Sequence, residues 1–352
     1  MSTGGRPRRA MVLAAGLGTR LRPLTDRYPK PAVPVAGVPP ICWTLASLAA
    51  GGIEEVVVNT HWLPHEVEAA LAGLERPAVS FSHEPEILGT GGGLMKVAGR
   101  FRDEPFVLAN GKLVFDLDLA GAVAAHRASG ATATMVLRPH PPDSPYASIE
   151  IDAGGRIRRF AGRWEDAPEH LGGLTGHVFT GVHVLEPEIL EHLPPTGVSC
   201  INGDGYQSLL SSGGHAHGVL QADAYWAEPS TPGRYLRCVA DVLGGRVDLT
   251  RFTAGGLVPF AGAEEVEPGI WIHPEATVDP GAELQGPVFV GPGAEVERGA
   301  KIGPEVAIEA RARIRSGAKV RRSVVWQEVT IAGDEVLDHV IAVEGDLRID
   351  AR

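Results

Sequence analysis

The residues of this chain that are best suited to chemistry stand in one segment near the start of the sequence. The segment GLGTRLRPLTDRYPKP, residues 16–31, directly follows the apolar run 11–15. Backbone N–H groups on a tight glycine-rich turn can bind phosphate oxygens, and Arg20 and Lys30 can neutralise their charge. A turn that follows a buried strand is also where open α/β sheets bind ligands. The segment therefore predicts that the chain binds a nucleotide, although it does not show chemistry on one.

Strand-like apolar runs alternate with helical patterns around this segment and through the first half of the chain. The predicted strands are 11–15, 56–59, 106–109 and 132–137, and the predicted helices are 40–50, 65–74, 119–129 and 231–243. Two alternating runs within 149–160 flank a Gly-Gly pair and predict a β-hairpin. The alternation predicts a Rossmann-like α/β domain over residues 1–244, with a mostly parallel sheet and helices on both faces.

The C-terminal part has a different period. A large aliphatic residue recurs at every sixth position, namely at Ile272, Val278, Leu284, Val290, Val296, Ile302, Ile308, Ile314 and Val320. Another apolar residue stands two positions before each of them. A strict six-residue period does not fit a helix face and is typical of hexapeptide β-helices, in which nine repeats form about three coils. The pattern predicts a left-handed parallel β-helix over 269–352, after a linker at 245–268.

Composition limits the classes of partner. The 352 residues allow two domains, and 44% hydrophobic with 21% charged residues is typical of a soluble globular protein. The net charge of −11 disfavours nucleic-acid binding. No apolar run approaches the roughly 18 residues that span a bilayer, so we expect no membrane segment. The three cysteines are widely spaced, which favours reduced thiols and a cytoplasmic location.

Residues 16–31, followed by the β-helix pattern, resemble the signature of the sugar-1-phosphate nucleotidyltransferases. The likeness covers roughly residues 10–240. Further matching residues are Glu84 to Gly93 (EPEILGTGGG), Asn110-Gly111, Trp226 and Thr231-Pro232. The LGTGGG form is most similar to the mannose-1-phosphate guanylyltransferases and the muramic-acid-1-phosphate uridylyltransferases of this family.

The resemblance implies transfer of a nucleotidyl group from a nucleoside triphosphate, with GTP or UTP expected, to a sugar-1-phosphate. Such a transfer depends mainly on positioning and on stabilisation of negative charge. The resemblance makes Arg20 and Lys30 the catalytic candidates. The implied nucleotide-binding residues are Leu13, Ala14, Ala15, Gly16, Gly18, Thr19, Glu84, Gly89, Thr90, Gly91, Gly92, Asn110, Gly111 and Lys112. On the sugar side the candidates are Tyr146, Arg163 and Asp204, although Asp204 serves a turn equally well.

The family pattern also implies Mg²⁺, and here the chain departs from it. The family's Gly-Asp after the third strand is replaced by Gly111-Lys112, and the aspartate of its Trp-x-Asp motif is replaced by Glu228. An ammonium has no lone pair to offer a metal. At about 4 Å and an effective dielectric constant of about 20, it repels a unit positive charge by roughly 4 kcal/mol. Binding of Mg²⁺ at the usual place is therefore expected to be greatly weakened.

Lys112 leaves three interpretations open. Its ammonium replaces part of the metal's charge and binds phosphate directly, or Asp116 or Asp118 joins Glu228 to hold Mg²⁺, or the lysine lies on the surface of a site that binds nothing. The sequence thus allows an active enzyme, or a catalytically impaired protein that binds a nucleotide or nucleotide-sugar. The β-helix favours assembly in either case, as a homo-oligomer or as a complex with an active relative.

Overall fold

The computed structural model describes residues 5–141, 144–160, 173–345 and 347–352. The first unit has the strands β1 (Arg9–Leu13), β2 (Glu55–Thr60), β3 (Ala78–His83), β4 (Phe106–Asn110), β5 (Val114–Phe115), β6 (Ala133–Pro139), β7 (Ser148–Ile151), β8 (Ile157–Phe160), β9 (Thr175–Leu185), β10 (Ala216–Leu220) and β11 (Trp226–Ala227). Its helices are α1 (Pro40–Ala50), α2 (Pro64–Ala70), α3 (Gly89–Lys96), α4 (Leu119–Ser129), α5 (Tyr206–Ser211) and α6 (Pro232–Leu243), and α7 (Leu249–Ala254) follows them.

The main sheet has the strand order β10-β6-β9-β4-β1-β2-β3. The strand β1 pairs in parallel with β2 and β4, whereas β9 runs antiparallel to β4 and β6. Successive residues of β1 belong to two separate hydrophobic clusters, with Ala10 and Val12 in one and Met11 in the other. Both faces of the sheet are therefore covered, which explains the unbroken apolar sequence of β1. The predicted α/β class is confirmed, and the antiparallel β9 makes the sheet mixed.

The register of the central strands determines where polar side chains meet. Leu13, the last residue of β1, lies opposite Asn59 of β2 and opposite Asn110 of β4. These three parallel strands thus end side by side at one edge of the sheet. Their carboxyl ends bring the loops after β1 and β4 together, as expected for a ligand site in this class of fold.

Two helices have the bounds that the sequence pattern predicts, α1 and α4. The side chain of Asp118 caps α4 by accepting the Gly121 N–H at 3.0 Å. The side chain of Thr231 likewise accepts the Arg234 N–H, so α6 begins one residue after the predicted start. Polar residues just before apolar helical runs therefore act as helix caps in this chain.

The segment 245–268, which the sequence analysis treats as a linker, contains the helix α7. Its residue Phe252 packs edge-on against Trp43 of α1, with ring centroids 4.7 Å apart. Both rings are fully buried, with exposed fractions of 0%. The segment is therefore part of the folded core.

The C-terminal unit is a parallel β-helix with three stacked sheets, as the hexapeptide period predicts. Its strands are β12 (Glu264–Glu267), β13 (Ile270–Ile272), β14 (Thr277–Val278), β15 (Glu283–Leu284), β16 (Val288–Val290), β17 (Glu295–Val296), β18 (Lys301–Ile302), β19 (Val306–Ile308), β20 (Arg313–Ile314), β21 (Lys319–Arg321), β22 (Ser323–Val325), β23 (Thr330–Ile331), β24 (Val336–Asp338), β25 (Val340–Val343) and β26 (Leu347–Asp350). The sheets have the orders β12-β13-β16-β19-β22-β25-β26, β14-β17-β20-β23 and β15-β18-β21-β24.

The pairing register shows how the period builds the coil. Ile272 pairs with Val290, which pairs with Ile308. Three six-residue repeats therefore make one turn of the helix. Ile308 then pairs with Val325, because the next coil is one residue shorter. The repeated aliphatic side chains fill the interior, and Ile308 is 0% exposed. The coils continue beyond Val320, where the strict sequence period ends.

The two units share one hydrophobic core. At their boundary the Trp326 indole N–H donates to the Tyr235 hydroxyl at 3.2 Å, and that hydroxyl donates to the Pro34 carbonyl at 2.7 Å. These bonds tie the segment after Lys30 to the β-helix. Within the described ranges, no helix is long and apolar enough to cross a membrane.

Candidate active site

A cavity of about 390 Å³ opens at the carboxyl edge of the central strands. Its lining residues are Leu13, Ala14, Ala15, Gly16, Gly18, Thr19, Arg20, Lys30, Pro31, Asn59, Glu84, Ile87, Gly89, Thr90, Asn110, Lys112 and Ser230. The volume lies in the range of small-molecule sites. Most of the predicted nucleotide-binding residues thus surround one cavity, whereas Gly91, Gly92 and Gly111 do not line it.

Short helical turns after β1 position the two catalytic candidates. The chain makes single 3₁₀ turns at Thr19–Leu21 and Lys30–Ala32. Gly18 has a φ of 66°, and the Thr25 hydroxyl donates to its carbonyl at 3.0 Å. A side chain at this position would be strained and would meet Thr25. The fold therefore needs glycine here to close the loop that carries Arg20 and Lys30.

Lys112 and Glu228 come together because two short strands pair. The strand β11 runs antiparallel to β5, with Ala227 opposite Val114. This pairing places the residue after β11 beside the loop that precedes β5. The Glu228 carboxylate therefore lies 2.8 Å from the Lys112 ammonium, measured from Oε1 to Nζ.

The same carboxylate oxygen holds two further cations. Glu228 Oε1 lies 2.8 Å from Lys30 Nζ and 3.7 Å from Arg20 Nη2. The side chains of Lys30 and Glu228 are 6% and 8% exposed, whereas those of Lys112 and Arg20 are 32% and 63% exposed. The site is thus one buried carboxylate with three cations around it.

The charges shift the titration of the buried pair. Burial alone would raise the pKa of the Glu228 carboxyl, but Lys112 and Lys30 lower it to about 2. Burial and the charge of Lys112 lower the pKa of Lys30 to about 8, against the attraction of Glu228. At neutral pH the glutamate is ionised and most Lys30 side chains carry a proton. Above pH 8 the site loses the charge of Lys30.

The residues at this place do not fit Mg²⁺. A magnesium site needs oxygen ligands, but the position after β4 carries an ammonium, and Glu228 Oε1 already accepts from two lysines. Among the residues that the structure describes, no group of three or more His, Cys, Asp or Glu side chains is placed to hold a metal ion. The family's use of Mg²⁺ therefore has no matching ligand set in this cavity.

Asp116 and Asp118, one of which was to join Glu228 in one of the three interpretations, do not line the cavity. Asp116 accepts the N–H groups of Tyr225 at 2.6 Å and of Asp248 at 3.2 Å. Asp116 directly follows β5, at the end of the β5–β11 pair that is farther from Glu228. Asp118 caps α4. Backbone N–H groups occupy both carboxylates, so the structure does not bring either of them to the cavity.

A buried polar network forms the opposite wall of the cavity. Asn59 accepts the Ala14 N–H at 2.8 Å and donates to Glu84 at 2.7 Å, and Glu84 also accepts the Leu88 N–H at 3.0 Å. Both polar side chains are almost completely buried. The predicted Glu84 is thus an orienting residue whose oxygens are held by the protein. Asn59 was missed, because the sequence shows only a polar residue at the end of a predicted strand and not its contacts with Ala14 and Glu84.

The glycines of the LGTGGG motif serve packing as well as the cavity. Gly89 and Thr90 line the cavity, but Gly91 and Gly92 are buried against the segment 197–199. The Gly91 N–H donates to the Ser199 carbonyl at 2.9 Å. A Cβ on Gly92 would collide with the Gly197 carbonyl. Close approach of protein backbone therefore accounts for glycine at these two positions, which the family resemblance implies as nucleotide-binding residues.

The sugar-side candidates have different surroundings. Tyr146 accepts from Arg234 at 3.1 Å and packs edge-on against Trp226, close to Glu228. Asp204 accepts the Cys200 N–H at 2.6 Å, which is a turn role, and it does not line the cavity. Arg163 lies outside the described residues. Of the two sugar-side candidates that the structure describes, Tyr146 is thus the one near the charged cluster.

The structure consists of an α/β domain with a cationic cavity, joined to a parallel β-helix, and comparisons with known proteins identify the family. The nucleotidyl transferase family profile matches residues 9–241. The profile described as the GMPPB C-terminal domain matches residues 284–348. The chain therefore belongs to the nucleotidyl transferase family.

Curated relatives agree with this assignment. A mannose-1-phosphate guanylyltransferase of Mycobacterium tuberculosis is 32% identical over 242 residues, which cover 67% of this chain and 65% of the relative. A UTP–glucose-1-phosphate uridylyltransferase of Synechocystis is 31% identical, with 75% and 68% covered. An N-acetylmuramate alpha-1-phosphate uridylyltransferase of Neisseria meningitidis is 32% identical, with 59% and 89% covered. The chain thus spans about two thirds of the first two relatives.

A solved structure shares the fold. HddC from Yersinia pseudotuberculosis superposes with a TM-score of 0.54 at 22% identity, covering 66% of this chain and 98% of that protein. At this level of identity the likeness concerns the fold alone.

Proposed function

We propose that this protein transfers a nucleotidyl group from a nucleoside triphosphate to a sugar-1-phosphate. In this reaction an oxygen of the sugar-1-phosphate forms a bond to the α-phosphorus. The α–β phosphoanhydride bond breaks, and pyrophosphate leaves with the electron pair. The protein's part is to position the two phosphates and to stabilise the charge on their oxygens.

The observation that carries this proposal is the cationic cluster in the cavity at the carboxyl edge of the sheet. Arg20 is largely solvated, because its side chain is 63% exposed. Lys30 is buried and held in one place by Glu228. A preorganised buried charge stabilises a developing negative charge more strongly than a solvated one. We therefore assign charge stabilisation at the phosphates to Lys30, with Arg20 as its partner.

The relatives' names suggest the substrates. They indicate GTP or UTP as the nucleotide and a hexose-1-phosphate or muramate-1-phosphate as the acceptor. Tyr146 is our candidate for the sugar side, because it lies close to Glu228. For the β-helix we propose a role in assembly, as a homo-oligomer or with an active relative. We propose the cytoplasm as the location, as the reduced cysteines suggest.

One observation favours a second candidate function. Lys112 occupies the place where the family carries an acidic residue, and it pairs with Glu228 at 2.8 Å. A site altered in this way can retain a nucleotide or nucleotide-sugar without turning it over. The alternative is therefore a binding protein that regulates or supports an active relative.

Pyrophosphate release distinguishes the two functions. The assay combines GTP or UTP with a panel of sugar-1-phosphates, with and without Mg²⁺. We expect the wild type to release pyrophosphate. Lys30→Met keeps the aliphatic stem but loses the charge, so it should release pyrophosphate at least about 100-fold more slowly. The matched control is Lys319→Met, which alters an exposed lysine of the β-helix. Nucleotide binding without release by the wild type, with release gained by Lys112→Asp, would instead establish the binding protein.

A further inference from the structure

The cavity presents three cations to a ligand, and the one carboxylate that lines it, Glu84, already accepts from Asn59 and from the Leu88 N–H. Arg20, Lys30 and Lys112 line the cavity, but Glu228 does not. The Glu228 side chain is 8% exposed, and its Oε1 contacts the ammonium groups of Lys30 and Lys112, two residues that line the cavity. A ligand phosphate therefore meets Lys112 at the position where the family places a metal-binding acid.

The backbone holds Lys112 in this position. The N–H of the preceding Gly111 donates to the Leu13 carbonyl at 2.9 Å. A Cβ on Gly111 would lie 2.8 Å from Val12, so the loop is closely packed on the end of β1. The side chain is then fixed at its other end by Glu228. These contacts make Lys112 part of the charged cluster, in which its side chain is 32% exposed.

The charges of the cluster do not balance. Arg20, Lys30 and Lys112 carry three positive charges, and Glu228 carries one negative charge. The excess of two positive charges suits a ligand with several negative charges on neighbouring oxygens. Lysine ammonium groups bind phosphates as point charges with three donors each. A diphosphate or triphosphate is therefore the class of anion that the cluster fits.

We propose that Lys112 acts in place of a divalent cation, so that this site binds the polyphosphate of a nucleotide in its metal-free form. The proposal rests on the nucleotide site proposed above and concerns its ionic requirement. Mg²⁺ in solution then opposes binding, because it neutralises the phosphate oxygens that the lysines contact. Before a ligand binds, the carboxylate of Glu228 holds the cations of the cluster together. When a ligand binds, its phosphates also contact these cations.

Direct binding measurements test this proposal. Titration calorimetry measures the Kd of GDP, UDP, GTP and UTP for the full chain, once in EDTA and once in excess Mg²⁺. We expect the wild type to bind in EDTA at least as tightly as in Mg²⁺. Lys112→Met loses one charged hydrogen bond to phosphate and is expected to bind about 10- to 100-fold more weakly in EDTA. Lys112→Asp should bind still more weakly in EDTA and regain affinity in Mg²⁺.

The controls separate charge from folding. Lys112→Arg keeps the charge and should retain most of the metal-free affinity. Lys319→Met and Lys319→Asp alter an exposed lysine of β21 and should bind like the wild type. Circular dichroism and thermal unfolding establish whether each variant is folded. If Lys112→Asp does not fold, Lys112→Met still tests the proposal.

The outcomes separate this proposal from the proposed function. Binding that requires Mg²⁺ in the wild type, or a metal-free affinity that is the same in Lys112→Met, would overturn the role of Lys112 even if pyrophosphate is released. Metal-free binding without pyrophosphate release would support the role of Lys112 and overturn the transferase function alone. Absence of nucleotide binding in both buffers would overturn both.

Discussion

Replacing Glu228 by glutamine tests how much the central carboxylate contributes to the fold. The glutamine keeps the shape of the side chain and removes the charge that Lys30 and Lys112 contact at 2.8 Å. The Lys30 side chain, 6% exposed, then has no anion beside it. Lys112 and Arg20 are more exposed and can be hydrated. The main cost therefore falls on Lys30.

The magnitude follows from the pKa of Glu228. Burial raises it, but Lys112 and Lys30 lower it to about 2, from an ordinary value of 4.5. A shift of this size is worth about 3 kcal/mol of stability at pH 7. Breaking a buried ion pair by removal of one partner costs about 3–5 kcal/mol, which agrees. We therefore expect the variant to lose about 3 kcal/mol of unfolding free energy at pH 7.

The pH dependence has a definite sign. Because the folded pKa of Glu228 is lowered, its contribution is complete above about pH 4.5 and is lost as the pH falls toward 2. Lys30 loses its proton above a pKa of about 8, so the attraction weakens again in that range. The difference between wild type and Glu228→Gln should thus be largest between pH 4.5 and 8 and smaller at pH 9.

Urea unfolding at pH 7 and pH 9 measures these differences. Glu283→Gln is the matched control, because Glu283 pairs with Lys301 at 2.9 Å but both side chains are more than half exposed. Exposed pairs contribute less than about 1 kcal/mol. Added GDP or UDP should stabilise Glu228→Gln more than the wild type, because phosphate replaces the missing anion. A Glu228→Gln variant as stable as the control at pH 7 would refute the reasoning.

Three further predictions concern other parts of the molecule. The affinity for GDP or UDP, measured by calorimetry, should fall about tenfold between pH 7 and 9 because Lys30 has a pKa of about 8, and this fall should be largely absent in Lys30→Arg. Gly92→Ala should destabilise the fold by about 2 kcal/mol or more in urea unfolding, because its Cβ would meet the Gly197 carbonyl; unchanged stability would contradict the packing role. Burial raises the pKa of Glu309 to about 7, with only the Gly37 N–H opposing it, so ionisation weakens the folded state as the pH rises from about 4.5 through 7. Glu309→Gln should therefore be about 1–3 kcal/mol more stable than the wild type in urea unfolding at pH 8 and nearly equal to it below pH 4.5.

Local sequence patterns predicted much of the architecture. The bounds of α1 and α4 follow from apolar spacing and from residues such as Asp118, which caps its helix through a bond three residues away. The β-helix follows from a six-residue period, because each repeat places one aliphatic side chain inside the coil. Such features depend on neighbours close in the chain, and the sequence alone contains them.

The sequence also predicted which segment lines the cavity. Residues 16–31 line the cavity through glycines, Arg20 and Lys30, as their types suggest. Asn59 was missed because its role depends on register, which places it opposite Leu13. Gly92 was predicted as a nucleotide-binding residue, and the structure places it beside Gly197, more than a hundred positions later. Contacts of this kind are not encoded in local spacing.

The charged cluster around Glu228 shows most clearly which features the sequence determines and which features the tertiary structure determines. The sequence by itself determined that Lys112 and Glu228 replace the expected acids, and that a glycine-rich loop with Arg20 and Lys30 follows the first strand. Only the tertiary structure decided that Glu228 Oε1 holds Lys30, 198 positions away, together with Lys112, and that Asp116 serves backbone N–H groups instead. The physical reason is that a charge interaction depends on separation and burial in space. Both are decided by the pairing of β5 with β11 and by the packing of the loop after β1.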